Sequence, residues 1–513
     1  YRSNMSALLA KLEQRVPQAK VMDHISEADL QQLLELVQDW SAAHGLIVAD
    51  SNKDSVLWKG AAVTLSPSCI PKNCFEFGVE IAPYFSLLFH KIATHPTFLQ
   101  QTLQSVVKAD EFTRKLLNIY LQCKDNGGFE QKLSLGIYRS DYMVDLSVAD
   151  GELKARLLQV EVNAISAAFS HLGHLATKLH KFLVSTRPQL FKGICSKNIP
   201  DNESHLLVPN ALHAAHNAFL EQRRGKLEEN HRVVVVLVAQ PGEQNRIDQR
   251  HIEFSLHERF GISLVRSSLI DVHENGTLSD SKNLILKKNG ENLIASVIYF
   301  RSCYTPNDFP SEKEWSARLL LEQSSAIKAP SIAYHLCGTK RVQQVISEAG
   351  VIESFFPDDP HIVKRLRQSF AGMYDLERNG KYAQKHEEAK LKPEDFVMKP
   401  QREGGGSLVF GDAITKALDS WSDDDLNSHI LMDRIRPVAL PNYLVFGGRL
   451  SAKVDVIAEL GFFHSYLADE NEVLHDEAKG YLVRTKPVDV DDGGVSAGRA
   501  ALDSLCLCDI NDA

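Results

Sequence analysis

Between Phe396 and Gly411 the chain reads FVMKPQREGGGSLVFG. An apolar, strand-like run (Phe396, Val397, Met398) delivers Lys399; Gln401, Arg402 and Glu403 then precede Gly404, Gly405 and Gly406. Lysine and arginine supply cations for phosphate, and a neighbouring carboxylate suits Mg²⁺. Three successive glycines let the backbone take positive φ and approach a ligand with no Cβ in the way. The order strand, lysine, carboxylate, glycine loop suits a nucleotide site, although a bare glycine triplet also serves at a surface hairpin tip. It is not a P-loop, because no Lys-Ser or Lys-Thr follows the glycines.

Two further stretches carry polar groups at strand spacing. Leu157 to Asn163 alternates with a period of two, which predicts Gln159, Glu161 and Asn163 on one face. A carboxylate and an amide at i and i+2 can reach one Mg²⁺ through oxygen; a solvated sheet edge has the same spacing. Leu482 to Lys486 places Arg484 and Lys486 on one face and runs into a second glycine loop, Asp492 to Gly498. That pairing suits a carboxylate-bearing ligand or, equally, a surface hairpin. His171, His174, His180, His213 and His216 read as surface or packing histidines.

The elements that must position these groups are of mixed α/β type. Ser26-Glu27-Ala28-Asp29 has capping-box form, followed by Leu30, Leu33, Leu34 and Val37 at helical spacing and a stop at Gly45. A short strand follows, and Phe85 to Leu121 is mainly helical, with Phe98, Leu99, Leu103, Val106 and Val107 as core residues. Val233 to Val238 is an uninterrupted β-branched and leucine run, the pattern of a strand buried on both faces. Polar residues follow it at Glu243, Asn245, Arg246, Asp248 and Gln249, where α/β folds place ligands. Ala295 to Phe300 is a second such strand, leading into Arg301, Ser302, Cys303 and Tyr304. Asp358 to Lys392 reads as a charged, surface helical region, Asp423-Asp424-Asp425 as a solvated loop, and Ile430 to Ile435 as a strand. The expected organisation is three blocks, 1–232, 233–340 and 341–513, the middle one an α/β lobe with parallel strands.

Composition narrows the class. The 513 residues, 44% hydrophobic and 24% charged, suit a globular enzyme. A net charge of −9 argues against a general nucleic-acid binder, so an anionic substrate must meet a local cluster of cations. Cys69, Cys74, Cys123, Cys195, Cys303, Cys337, Cys506 and Cys508 include no Cys-x-x-Cys pair, which fits a reducing compartment better than a zinc site or disulfide framework. No run reaches the ~18 apolar residues of a membrane helix. With no apolar h-region at the start, secretion is unsupported; the expectation is cytoplasmic, with a plastid or other organelle open.

In several ordered blocks the sequence resembles the eukaryotic-type glutathione synthetase family of the ATP-grasp superfamily, most closely its plant and algal branch. The blocks are GIYRSDYMVD at Gly136, LLQVEVNAIS at Leu157, IYFRSCYTPNDFPSEKEWSARLLLEQSSAIKAPSIAYHL at Ile298, GTKRVQQ at Gly338, KPQREGGG at Lys399, ILMDRI at Ile430, AELG at Ala458 and YLVRTKPVDVDDGGVSAG at Tyr481. The resemblance implies an ATP-grasp fold with interleaved lobes and a glycine-rich lid, typically a homodimer. It also implies ligation of γ-glutamylcysteine to glycine through an acyl phosphate, with ATP as co-substrate and two Mg²⁺ ions per subunit. No nucleic-acid or membrane partner is expected.

By motif, Glu161, Asn163 and Glu403 resemble the family's metal ligands. Glu161, Lys340, Lys399, Gly404, Gly405, Gly406, Glu459, Lys486 and Asp492 match its ATP contacts, with Met432, Asp433, Arg434 and Ile435 as the adenine-side strand. Arg139, Ser166, Glu243, Asn245, Gln249, Arg301 and Tyr304 match the dipeptide pocket; Arg484, Val495 and Ser496 match the glycine side. Arg139 and Arg484 are the residues expected to bear transition-state charge, because a guanidinium meets carboxylate and phosphoryl oxygens bidentately. Departures are Ser407, Leu408 and Phe410, where the family has two asparagines and a tyrosine, costing ~1 kcal/mol per lost neutral hydrogen bond; Ala168, for a serine; and Ser496-Ala497, for Ala-Ala. A ligase for β-alanine or serine is the alternative within the class, and a weakened nucleotide-binding protein the alternative outside it. An NAD enzyme is excluded, since no G-x-G-x-x-G follows Val238.

Overall fold

The computed structural model describes residues 25–50, 57–125, 128–149, 152–227, 231–401, 408–491, 494–495 and 498–508. The first helix, α1 (Glu27–His44), starts where Ser26 accepts from the Asp29 amide and ends at Gly45, whose φ of 77° is the left-handed stop that glycine permits. The short strand β1 (Ser68–Pro71) leads into the long helix α2 (Lys72–Ala93). Leu99, Leu103 and Val106 are buried as the helical spacing predicts, with Phe98 and Val107 packed against the same core.

Among the described residues, one mainly antiparallel sheet of fifteen strands carries Arg139, Glu161, Glu459 and Arg484. At its centre lie β2 (Ser134–Ala149) and β3 (Glu152–Asn163), an antiparallel pair. Helices α3 (Ser170–Thr186) and α4 (Ser204–Gln222) follow. The predicted buried run is β4 (Arg232–Val238), which pairs in parallel with β5 (Leu264–Ser267) across α5 (Arg246–Phe260) and with β6 (Glu291–Phe300). Through β7 (Ile327–Ala329), parallel to both β6 and β2, this parallel part joins the central sheet. Helix α6 (Lys340–Ser347) then crosses to a three-stranded sheet, where β8 (Phe396–Pro400) lies antiparallel to β9 (His429–Asp433). The chain returns to the central sheet in the long hairpin of β10 (Val454–Ala468) and β11 (Val473–Pro487), with β10 against β2. It closes with β12 (Ala501–Asp503) on β11 and β13 (Leu505–Cys508) on β1.

Two expectations are corrected. The residues Asp423-Asp424-Asp425 are not a solvated loop. They form the first turn of a short helix, Asp423–Asn427, capped by Ser422, because carboxylates there face the positive end of the helix dipole. Nor does Gln159 share the face of Glu161 and Asn163. The β2–β3 register shifts at Asp141/Tyr142, so Glu161 stands opposite Asp141 while Gln159 stands opposite Tyr142, on the other face. A β-bulge at Val160 adds one residue and inverts the alternation. Strand β9 also ends at Asp433, before Arg434 and Ile435.

Among the described residues no helix is long and apolar enough to cross a membrane. Two histidines of α3 pack against other histidines, His171 stacked on His251 of α5 at 3.7 Å and His174 tilted against His205 of α4 at 3.8 Å, while His180 meets Ser504 and Thr64. Burial holds the four imidazoles of the two pairs below their usual range, His205 near 3 and His171 near 2, with Lys178 and Arg259 reinforcing the effect and Asp248, Glu203 and Glu258 opposing it. A histidine held neutral by the fold takes up a proton only on unfolding. The fold therefore keeps its full stability above pH 6.5 and loses it as pH falls below that value. We expect the melting temperature to fall between pH 6.5 and 5, and the double variant His171→Gln/His251→Gln to flatten that slope in thermal scans.

Candidate active site

The bulge that displaces Gln159 builds the site. It turns the Val160 carbonyl toward β8, where Lys399 Nζ donates to it at 2.8 Å. From the other side Lys340, at the start of α6, pairs with Glu161 at 3.0 Å. Three contacts set α6 in place. Gln343 accepts from the Val162 amide and donates to its carbonyl, both at 3.3 Å, and Gln401 accepts from the Arg341 amide at 2.8 Å. Burial opposes ionisation of Glu161, but Lys340, Lys399 and Arg484 together hold its carboxyl well below the usual carboxylate range. Burial pushes Lys399 down to about 8 despite Glu161. A phosphate group arriving here would meet two dehydrated ammonium groups, where Coulomb attraction is stronger than in water.

Asp141, buried beside Glu161, ties the two arginines together. Its Oδ1 accepts from Arg139 Nε at 2.7 Å. Its Oδ2 accepts from Arg139 at 2.8 Å, from Asn163 Nδ2 at 2.8 Å and from Arg484 at 2.9 Å. Arg484 also pairs with Glu459, directly opposite it in the β10–β11 register. Burial raises the Glu459 carboxyl, and Glu459, Asp141 and Glu161 keep Arg484 charged against its own burial. Gly461 makes the arrangement possible. A Cβ there would lie 2.4 Å from Asp141 Oδ1 and 2.8 Å from Arg139 Cδ. We expect Gly461→Ala to force this pair apart, lowering kcat about tenfold and stability by about 1–3 kcal/mol, read by steady-state kinetics and denaturant unfolding.

A turn at 164–169 connects this centre to the groups beyond β4 and β6. Arg139 donates to the Ala168 carbonyl at 3.2 Å and Arg301 to the Ala167 carbonyl at 2.8 Å, while Ser166 Oγ donates to the Phe300 carbonyl at 3.3 Å. Ser166, Phe169 and Cys303 all have positive φ (55°, 69° and 79°), a strained backbone that clusters at functional sites. Asp248 receives the Phe169 and His171 amides at 2.9 Å, capping α3, and lies 3.9 Å from Arg301. Glu243 accepts from the Asn245 amide at 2.7 Å and from Gln249 at 3.1 Å. Tyr304, its hydroxyl raised mainly by burial, sits within the influence of Glu243 and Arg301. Arg301 Nε and Asn245 Oδ1 are buried without a protein partner, two polar atoms aimed at whatever fills this side.

The predicted nucleotide-side residues lie on the adjoining strands. Met432 pairs with Val397 and Asp433 with Phe396, one strand over from Lys399. Arg434 and Lys486 meet at Asp491, at 3.4 Å to its carboxylate and 2.5 Å to its carbonyl. Leu408, Phe410 and Ile435 pack with Leu158, Val397 and Met432, so the apolar departures join a small core beside β8. Val495 packs against the second of the two large apolar cores, which also holds Leu502 of β12. Glu403, Gly404, Gly405, Gly406, Asp492 and Ser496 lie outside the described residues, as do Arg402 and Ser407.

Most of this chain, residues 27–507, matches the family model for the eukaryotic glutathione synthase ATP-binding domain. The chain belongs to the eukaryotic glutathione synthase family. It is 36% identical over 516 residues to a chloroplastic glutathione synthetase of Arabidopsis thaliana, covering 98% of this chain and 91% of that one. It is 37% identical to the Homo sapiens glutathione synthetase, covering 93% and 97%. A glutathione synthetase like-effector from Globodera pallida, solved in apo form, shares the fold at TM-score 0.73 with 20% identity, covering 94% and 98%. The fold explains why the functional stretches stand so far apart in sequence: the large sheet brings β2, β3, β10 and β11 side by side, and β8 of the small sheet reaches the Val160 carbonyl of β3 through Lys399. Sequence reasoning missed Asp141 and Gly461 as functional residues. Asp141 stands two residues after Arg139 inside GIYRSDYMVD, a same-face spacing that signals a partner, and Gly461 closes AELG.

Proposed function

We propose that this chain is a glutathione synthetase, joining γ-glutamylcysteine to glycine at the expense of ATP. The observation that carries the reading is the meeting of four cations, Arg139, Lys340, Lys399 and Arg484, with three carboxylates, Asp141, Glu161 and Glu459, where β2, β3, β10 and β11 face α6 and β8. The local excess of positive charge suits phosphate and carboxylate ligands in a chain that is acidic overall. Lys340 and Lys399 hold the ATP phosphates. Glu243, Asn245, Gln249, Arg301, Tyr304 and Ser166 hold the dipeptide, whose carboxylate reaches Arg139 across the 164–169 turn. Arg139 and Arg484, fixed by Asp141, meet the charge that builds as a carboxylate oxygen attacks the γ-phosphorus in line and ADP leaves. The glycine amine, received beside Arg484, Val495 and Ser496, then attacks the acyl carbon and releases phosphate. Met432 to Ile435, Glu459, Lys486, Asp492 and the glycines 404–406 complete the nucleotide side.

The donors present suit Mg²⁺. Glu161 is held ionised, and Asn163 engages Arg139 and Asp141 through its amide nitrogen, which leaves its oxygen for a cation. Glu161 and Asn163, with Glu403, would hold the metal, which when bound neutralises phosphate charge. Blocks 1–232, 233–340 and 341–513 serve as framework, dipeptide-binding and nucleotide-binding units. A homodimer in the cytoplasm or a plastid completes the proposal.

ADP release by the purified protein tests it, with ATP and Mg²⁺ and with γ-glutamylcysteine alone or beside glycine or β-alanine. Release that requires dipeptide and glycine together is the expected result. Preference for β-alanine moves the acceptor to that amino acid, and no release with any acceptor rejects the ligase.

A further inference from the structure

Four of the eight cysteines meet where the chain ends its fold. Strand β13 lies parallel to β1 with Cys506 opposite Cys69 and Cys508 opposite Pro71, and Cys74 follows at the start of α2, close to Cys508. The small sheet has two faces. Ile70, Leu505 and Leu507 pack into one core, and Cys69, Cys506 and Cys508 into the other. Neighbouring strands run about 4.8 Å apart, within the Cα separation of ~4.4–6.8 Å that a disulfide spans. Cys506 Sγ lies 4.0 Å from the Leu507 carbonyl and within the influence of Cys69 and the Cys195 backbone.

These contacts set Cys506 apart from the other buried thiols. Burial pushes Cys74, Cys123 and Cys303 up to about 12, where they are inert. Cys506 moves the other way, lowered by the hydrogen bond from Cys69 and by the Cys195 amide against the effect of burial. All eight cysteines are present as thiols.

We propose that Cys69 and Cys506 form a dithiol–disulfide pair closed by hydrogen peroxide and reopened by a dithiol reductant. Both side chains are buried, which shuts out bulky disulfides, so the oxidant named here is the smallest two-electron one, hydrogen peroxide. The Cys506 thiolate attacks one peroxide oxygen, the O–O bond breaks, and hydroxide leaves and takes a proton as water, giving a sulfenic acid. Cys69 sulfur then attacks Cys506 sulfur, the S–O bond breaks and a second water leaves. Two thiols and one peroxide become one disulfide and two waters. Because the partners already stand in register, closure needs little backbone movement. It locks β13 to β1 next to Asp503, whose carboxylate accepts from Ser68 at 2.7 Å and from Thr485, the neighbour of Arg484, at 2.6 Å. The effect is a clamp on the C-terminal strand.

The test is thiol mapping on the full chain, which is independent of any ligase activity. The protein is exposed to hydrogen peroxide, blocked with an alkylating agent and digested without reductant. The expected result is a crosslinked peptide joining Cys69 to Cys506, a fall in titratable thiols from eight to six, and an upward shift of a few degrees in melting temperature, all reversed by dithiothreitol. Cys69→Ser should abolish the crosslink and Cys74→Ser should preserve it. Separate alkylation of Cys69 and Cys506 in the unsubstituted protein, with oxidation confined to the exposed Cys195, would overturn the proposal, as would a crosslink joining Cys506 to Cys508 or Cys74 instead.

Discussion

Asp141→Asn is expected to lower kcat about a thousandfold while changing the apparent affinity for ATP only a few-fold. One oxygen of Asp141 accepts three N–H groups, from Arg139, Asn163 and Arg484, and the other accepts Arg139 Nε. Asparagine is the same size, but its amide nitrogen must face at least one of these donors whichever way it turns. Removing one partner of a buried ion pair costs about 3–5 kcal/mol, because a charge is left uncompensated. Two guanidinium groups lose their anchor at once, and the groups meant to meet developing charge no longer stand where it develops. Lys340 and Lys399 keep Glu161, whose charge acts on Lys399 more strongly than that of Asp141 does, so nucleotide binding persists. Steady-state kinetics, nucleotide titration and denaturant unfolding together check the result. A fall in kcat with unchanged stability would mean that the carboxylate acts on the substrate rather than through the arginines.

Arg484→Ala is the second large effect. Loss of a single preorganised charge-stabilising donor typically costs about 10²–10³ in rate, and that is the drop in kcat we expect, again with ATP affinity little changed. The substitution leaves Glu459 and Asp141 without their shared cation. Burial already raises the Glu459 carboxyl, and loss of the Arg484 cation raises it further, which favours the protonated, uncharged form. The pH dependence of the variant's residual activity should therefore shift to higher pH than that of the unsubstituted enzyme. An unchanged kcat would place Arg484 outside the reacting centre.

How much of this was legible beforehand varies with the range of the interactions. Local signals were sufficient where the physics is local. The Ser26 cap and the Gly45 stop bound α1 as read, and the β-branched run at Val233 forms a buried parallel strand. The order strand, lysine, glycine loop places Lys399 at the end of β8, although the loop itself lies beyond the described residues. Motif resemblance gave the family and the set of candidate residues, since those blocks carry chemistry at fixed spacing.

What the linear sequence did not carry was partnership. Alternation put Gln159 with Glu161, yet the bulge at Val160 separates them and turns a carbonyl to Lys399, because register depends on the partner strand. His171 and His174 of α3 meet histidines of α5 and α4, some 30 to 80 positions away. Asp141 became the centre of the site, and Gly461 its necessary gap, only when β10 lay against β2. The sequence by itself determined which elements form and which charged groups the chain possesses, because propensity, capping and motif spacing act within a few residues. The tertiary structure alone decided which charges share a buried partner, because desolvation and ion pairing depend on groups that the chain brings together from hundreds of residues apart.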